Sequence, residues 1–338
     1  ELGQGIRLMK NLNQFHGNLT INVVGDLSKE YAAESELKNK KYLEVLALLM
    51  RSSREGSPES QIIQNKEVLE VLQPPISLKS LYLDGHDGAS LPSWFQPQNL
   101  PSLKFLGFGS CVRLESISSP SMLASVPTES IGDFHSLEEL NMFNCPNIQP
   151  QRLVSPSLKK LKLWNSTPFC SIECFSLTEF HLQSCYVTSI QLEMWSLPSL
   201  RSLIIACSSL AYIGGNTTTF PSLNVLMVIS CYELLTLDGI LTQESLPAIE
   251  EIDIQQCPKL LSLPIANFPN LKHLVVDKCP SLNWQRGLVL PSSLQKLGLT
   301  QCGDISPYVP GCLENLTSLV SLSIGGQGIT SIPGHIWH

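Results

Sequence analysis

Apolar residues recur along this chain in a fixed figure, L-x-x-L-x-L-x-x-C, whose first, fourth and sixth slots are hydrophobic while the slots between are mixed. The figure begins at Leu78, Leu103, Leu137, Leu158, Leu177, Leu200, Leu223, Ile249, Leu271, Leu294 and Leu319. In these eleven copies all thirty-three apolar slots hold Leu, Ile, Val, Met or Phe, as in Leu137/Leu140/Met142 and Leu271/Leu274/Val276. Successive copies lie 19 to 34 residues apart, mostly 21 to 26. Two looser copies precede them. Leu43/Leu46/Leu48 fits throughout, whereas Leu19/Ile21 supplies only the central pair, so about thirteen coils are expected.

Alternation around the fourth and sixth slots predicts a short strand with one buried face. A single coil of this kind has nothing against which to bury its leucines. Stacked side by side, such coils make a parallel sheet and one continuous core, in which each fully buried Leu or Ile contributes roughly 1.5–3 kcal/mol relative to exposure. Backbone ordering offsets much of that gain. The expected fold class is α/β: a leucine-rich-repeat solenoid, a horseshoe with a parallel β-sheet on its concave face and mostly loops or short helices on the convex side. Residues 1–338 read as one such domain, with irregular N-terminal repeats and helical insertions over 1–77 and the eleven regular repeats over 78–338.

Punctuation agrees with the period. Pro101, Pro156, Pro198, Pro221, Pro247, Pro269 and Pro291 stand just before strands. There the missing N–H and fixed φ stop a helix and favour extended chain. Leu91-Pro92, Leu263-Pro264 and Ile332-Pro333 place an apolar anchor on the return side of a coil. Between the first coils, Lys29 to Lys40 is predicted to be a helix capped by Ser28, Arg51 to Ser60 a loop, and Gln61 to Leu72 a second helix ended by Pro74-Pro75.

Seven of the eleven cysteines fall in the ninth slot: Cys111, Cys145, Cys185, Cys231, Cys257, Cys279 and Cys302. A small side chain with a weak donor can cap carbonyls of the next coil there, so a structural ladder of reduced thiols is expected. Zinc needs converging ligands, usually as close cysteine pairs. Only Cys170 and Cys174 are close, with no second pair, and no metal is expected. Unpaired thiols in this number favour a reducing compartment, cytoplasmic or nucleocytoplasmic.

Composition narrows the function classes. With 43% apolar and 15% charged residues the chain can bury a large core. A net charge of −7 and no long basic run argue against nucleic acid as a partner. No run approaches the length of apolar residues that a membrane span needs. Glu1 to Lys10 carries neither an initiator Met nor an apolar signal core, and Gly334 to His338 falls in mid-repeat, so a segment of a longer protein is expected. Phosphate-binding, nucleophile-elbow and zinc-protease motifs are absent, and the seven histidines are scattered. The reading is a binding scaffold without cofactor, not an enzyme. Four glycosylation sequons, at Asn18, Asn165, Asn216 and Asn315, read as accidental in a Ser/Thr-rich chain.

The third, fifth, seventh and eighth slots should point away from the core. Read down the stack, they predict an aromatic column of Tyr82, Phe105, Phe143 and Trp164, with Lys160 and Lys162 flanking the tryptophan. His181 follows on the same face, then an aliphatic patch of Ile204, Val225, Met227 and Ile229, and beyond it Val275. Contiguous exposed apolar side chains mark interfaces, and Trp and Tyr are over-represented at their hot spots. Glu139, Glu179, Glu251, Asp253 and Asp277 share the face, as solvated surface or as contacts for a basic partner.

Several blocks carry a family resemblance. Lys10-Asn-Leu-Asn-Gln-Phe-His-Gly-Asn-Leu-Thr-Ile-Asn22, Ala32-Ala-Glu-Ser-Glu-Leu-Lys-Asn-Lys-Lys-Tyr-Leu-Glu-Val-Leu46 and Val68-Leu-Glu-Val-Leu-Gln-Pro-Pro75 are three of them. Leu78-Lys-Ser-Leu-Tyr-Leu83 and Leu91-Pro-Ser-Trp94 follow. Together they resemble, in order and spacing, the repeat domain of plant coiled-coil nucleotide-binding leucine-rich-repeat disease-resistance proteins. The resemblance implies a parent receptor with a coiled coil and a nucleotide-binding switch upstream. It also implies a repeat domain that recognises a pathogen or pest effector, directly or through a guarded host protein, and folds back on the nucleotide-binding domain to hold it inactive. A substrate-binding module of an F-box ubiquitin ligase is the alternative, although its repeats tend to be more regular in length. A plant receptor ectodomain is the weakest, because its L-x-G-x-I-P signature is missing.

Overall fold

The computed structural model describes residues 6, 9–23, 27–50, 59–117, 131–149, 151–215, 218–266, 268–284 and 288–325. They fall into two compact units, residues 1–175 and 176–338.

In the first unit, strands β1 (Gly17–Val23), β2 (Leu43–Met50), β3 (Ser80–Asp84), β4 (Phe105–Gly109), β5 (Glu139–Phe143) and β7 (Lys160–Trp164) form a parallel ladder in chain order. The register is slot against slot: Leu81 opposes Leu106, Leu106 opposes Leu140, and Leu140 opposes Leu161. From β3 onward each strand starts at the third slot of its repeat and buries the fourth and sixth. On the return side β6 (Arg152–Val154) pairs in parallel with β8 (Ser171–Glu173).

The second unit repeats the plan. Strands β9 (Glu179–Gln183), β12 (Ser202–Ala206), β14 (Val225–Ile229), β15 (Glu251–Gln255), β16 (His273–Asp277), β17 (Lys296–Thr300) and β18 (Ser321–Gly325) are parallel neighbours in that order. β10 (Ser189–Gln191) and β13 (Tyr212–Gly214) pair on the return side, where β11 (Trp195–Ser196) also lies. The fold is thus the parallel-sheet leucine-rich-repeat solenoid that the period predicts. In the eleven regular repeats the core slots are buried except in the last coil, where Leu319, Leu322 and Ile324 are half-buried.

One backbone device ends the strands. The eighth-slot residue is left-handed in nine coils: Gly85, Ser110, Asn144, Asn165, Ser184, Ser230, Gln256, Lys278 and Gln301, with φ between 47° and 70°. At eight of these, all but Asn165, the N–H donates to the seventh-slot carbonyl of the following coil, as Ser110 does to Phe143 (2.8 Å) and Gln256 to Asp277 (2.9 Å). The reversal therefore costs no hydrogen bond. It swings the ninth slot under the sheet. Asn is at home there, and Gly85 is required, because a Cβ would strike the carbonyl oxygen of Met50.

The inserted helices are only partly as expected. Helix α1 spans Lys29–Ala33, with the Ser28 hydroxyl accepting from the Tyr31 N–H at 3.4 Å. It does not run to Lys40. Glu36 turns left-handed (φ 48°), and a short 3-10 turn, Leu37–Asn39, buries Leu37 instead. Helix α2, Glu59–Val71, matches the second expected helix within two residues. Trp94 pins it, its indole N–H donating to the carbonyl of Leu69 at 2.8 Å, while Glu70 accepts from the N–H and hydroxyl of Ser93. A short helix α3, Val309–Leu313, precedes β18. Residues 51–58 of the expected loop, the Ile332-Pro333 anchor and the Asn216 sequon lie outside the described residues.

Candidate recognition face

Slots three, five and seven of each strand point away from the core, and their register sets which side chains meet. In the first unit the fifth-slot row is Tyr82, Gly107, Asn141 and Lys162, and the seventh-slot row is Asp84, Gly109, Phe143 and Trp164. Phe105 lies in the third-slot row with Glu139 and Lys160. The expected aromatic column is therefore not a single column. It is two pairs in different rows.

The first pair lies down. Tyr82 fills the space above Gly107 and Gly109, where a Cβ at either glycine would meet its ring or hydroxyl, and Phe105 closes the other side of Gly107. Both aromatics are half-buried. Burial, with Asp84 nearby, pushes the Tyr82 phenol above its usual range. The second pair stands up. The rings of Phe143 and Trp164 are 5.8 Å apart at 60°, and the residues are 48% and 50% exposed. Such an inclined pair is favourable, yet much of each ring remains in water. Behind it the eighth slots form an amide rung, Asn165 Nδ2 donating to Asn144 Oδ1 at 2.8 Å. The carbonyl of Trp164 accepts from the Asn144 N–H (2.8 Å) and the Ser166 hydroxyl (2.9 Å), so the backbone under the indole is fixed.

The flanking lysines differ from the simple picture. Lys162 is drawn to Glu139, 3.2 Å away, which also accepts from the Asn141 amide at 2.9 Å. Lys160 is half-buried in the third-slot row.

In the second unit the fifth-slot row reads His181, Ile204, Met227, Asp253, Val275 and Gly298. Val225 and Ile229 lie on either side of Met227 along β14, and all four members of the aliphatic patch are half-exposed. The patch is thus contiguous within this unit. Asp253 breaks the row between Met227 and Val275, and burial raises its carboxyl above the usual value of 3.8, against a smaller lowering by Gln255. The Gln255 amide donates to both Asp253 oxygens, at 2.9 and 3.0 Å.

Residues 6–128 match the family model for R13L1/DRL21 leucine-rich repeats. RPP13-like protein 1 of Arabidopsis thaliana, a protein named for disease resistance, is 27% identical over 333 residues, covering 93% of this chain and 30% of that protein. RGA1 of Solanum bulbocastanum, named likewise, is 26% identical over 280 residues, 80% of this chain and 26% of that protein. This chain is similar over most of its length to the leucine-rich-repeat regions of plant disease-resistance proteins. It spans less than a third of the length of either relative. Among solved structures the circular leucine-rich-repeat protein CroV588 aligns with TM-score 0.43 at 16% identity, covering 96% of this chain and 58% of that one, a level that decides nothing further.

The cysteine ladder of this chain is structural. All seven expected members are buried and free. The thiols of Cys111, Cys145, Cys185, Cys231, Cys257 and Cys279 face carbonyls two residues back, as Cys185 does to Gln183 (3.3 Å), and those of Cys111, Cys231, Cys257 and Cys279 also face sixth-slot carbonyls of the preceding coil, as Cys257 does to Val228 (3.8 Å). The capped carbonyls thus belong to the preceding coil, not the next. Three further residues serve the same position. Cys207 comes one residue early because its coil lacks the left-handed residue, and its thiol faces the Leu182 carbonyl at 3.6 Å. Ser166 accepts from the N–H of Cys145 at 3.1 Å. His86, 1% exposed, holds the Ser90 carbonyl through Nε2 at 2.9 Å. His86 and Ser166 sit in the ninth slot, where a template written with cysteine does not include them. Among the described residues no helix is long and apolar enough to cross a membrane.

Proposed function

We propose that this domain is the protein-recognition and autoinhibitory module of an intracellular plant immune receptor. Its outward strand face senses a pathogen or pest effector, directly or through a host protein. The same domain restrains the receptor's nucleotide-binding domain at rest. The observation that carries the reading is the Phe143–Trp164 pair, half-exposed on a backbone that hydrogen bonds hold still. Rigid aromatic side chains of this kind lose little entropy on binding and form interface hot spots. The names of the relatives support a role in disease resistance. Buried free thiols support a cytoplasmic or nucleocytoplasmic location.

The test is Trp164→Ala, measured by calorimetry against an effector or host protein that the unaltered domain binds. Affinity should fall by about 2 kcal/mol or more, roughly thirtyfold. The melting temperature should hardly move, because the ring is surface. Unchanged affinity would remove Trp164 from the site. A large drop in melting temperature would mean that the indole supports the fold instead.

A further inference from the structure

The outward face of the second unit carries an apolar patch and a carboxylate in one row. Ile204, Met227, Asp253 and Val275 are consecutive there, so Asp253 has apolar neighbours on both adjoining strands. Val225 and Ile229 widen the apolar half; Glu251 and Asp277 extend the acidic half. Of the facing cations two are engaged elsewhere, and Lys296 draws on the Asp253 charge from beyond ion-pair distance. His273 lies 3.6 Å from Glu251, Lys278 lies 4.0 Å from Asp277, and Lys296 stands exposed on β17. Among the described residues no cation comes within ion-pair distance of Asp253. Its carboxylate is nevertheless oriented, because the Gln255 amide donates to both oxygens from one side.

A half-buried carboxylate held by a single amide keeps lone pairs for a planar bidentate donor. Guanidinium suits it better than ammonium. It is weakly hydrated, forks onto two oxygens and lies flat on apolar neighbours such as Met227 and Val275. We infer that the second unit's outward face docks a protein segment presenting one arginine among apolar side chains, the guanidinium on Asp253 and the apolar residues over Ile204, Val225 and Met227. This inference rests on the face being a recognition surface, and it names the chemistry of the partner.

The probe is N-acetyl-Leu-Arg-Leu-amide, titrated into the whole chain with its methionine methyl groups labelled with carbon-13. N-acetyl-Leu-Gln-Leu-amide is the control. The Met227 methyl should shift saturably with the arginine peptide, at least about tenfold more tightly than with the glutamine peptide. Asp253→Asn keeps the shape and an acceptor for Gln255. It should abolish the preference while leaving the melting temperature no lower. Glu138→Gln, which removes a charge from the first unit, should preserve the preference. Equal response to both peptides, no saturable shift with either, or equal loss from Glu138→Gln would overturn the inference. A verified partner that weakens with Trp164→Ala but ignores Asp253→Asn would also overturn it, and would leave the recognition reading standing.

Discussion

The ninth slot shows how one position can be filled by different chemistry under one constraint. It must be small enough to lie beneath the sheet and must present a polar atom to nearby backbone. Cysteine meets both needs weakly, serine more strongly, and His86 at a greater cost. Nε2 of His86 takes the Ser90 carbonyl, which leaves Nδ1 unprotonated, buried and without a donor. Burial is the main cause that holds this imidazole below its usual 6.5. The unfolded chain therefore takes up a proton near pH 6.5 that the folded chain refuses. Stability must fall as pH drops below that value, until the folded imidazole itself charges, with a slope of at most about 1.4 kcal/mol per pH unit. His86→Cys, which restores the common occupant, should lose less stability than the native chain between neutral pH and about pH 5, as read from urea midpoints. Equal losses would mean that the imidazole charges in place. The thirty-three apolar slots of the eleven copies specify the strands. They say nothing of how Tyr82 would lie across Gly107 and Gly109, because the template treats those slots as free.

At the scale of the element, the eighth slot is what turns a repeat into a coil. Its left-handed residue bonds forward to the next strand and drops the ninth slot into the core. Gly85→Ala tests this directly. The added methyl meets the Met50 carbonyl in a conformation that L-residues already disfavour, so a loss of about 2 kcal/mol or more is expected in urea unfolding. Amide exchange should quicken first in β2, β3 and β4, because each coil leans on its neighbours. Uniform acceleration along the whole chain would contradict that local picture. The same geometry explains one misreading. The stretch from Lys29 to Lys40 has helical composition throughout, yet Glu36 enters the left-handed region and buries Leu37 beneath a 3-10 turn. Tertiary burial of one leucine outweighed local propensity. The candidate recognition face was legible only in part. Slot arithmetic identified which residues point outward, but Phe143 and Trp164 pair because they share a row, and Phe105 does not.

For the whole molecule, the thiol inventory makes the clearest prediction. Of eleven cysteines only Cys170 is exposed, and Cys312 is half-buried with its thiol pushed up to about 11 by burial. A thiol reagent added to the native chain should modify one group quickly and a second slowly, and the remainder only on denaturation. Rapid modification of several groups would place the ladder cysteines outside the core. The ladder itself has a wider consequence. The coil beginning at Leu200 is one residue short at its turn, and the coil beginning at Leu158 carries serine for cysteine. Both still meet their described neighbours slot against slot. Slippage between coils is prevented by backbone bonds and buried leucines, not by the outward side chains. Whole coils are therefore interchangeable parts. Exchanging one for another of matching register keeps the scaffold standing and rewrites only the outward strip of surface, so that face can diversify while the fold stays the same.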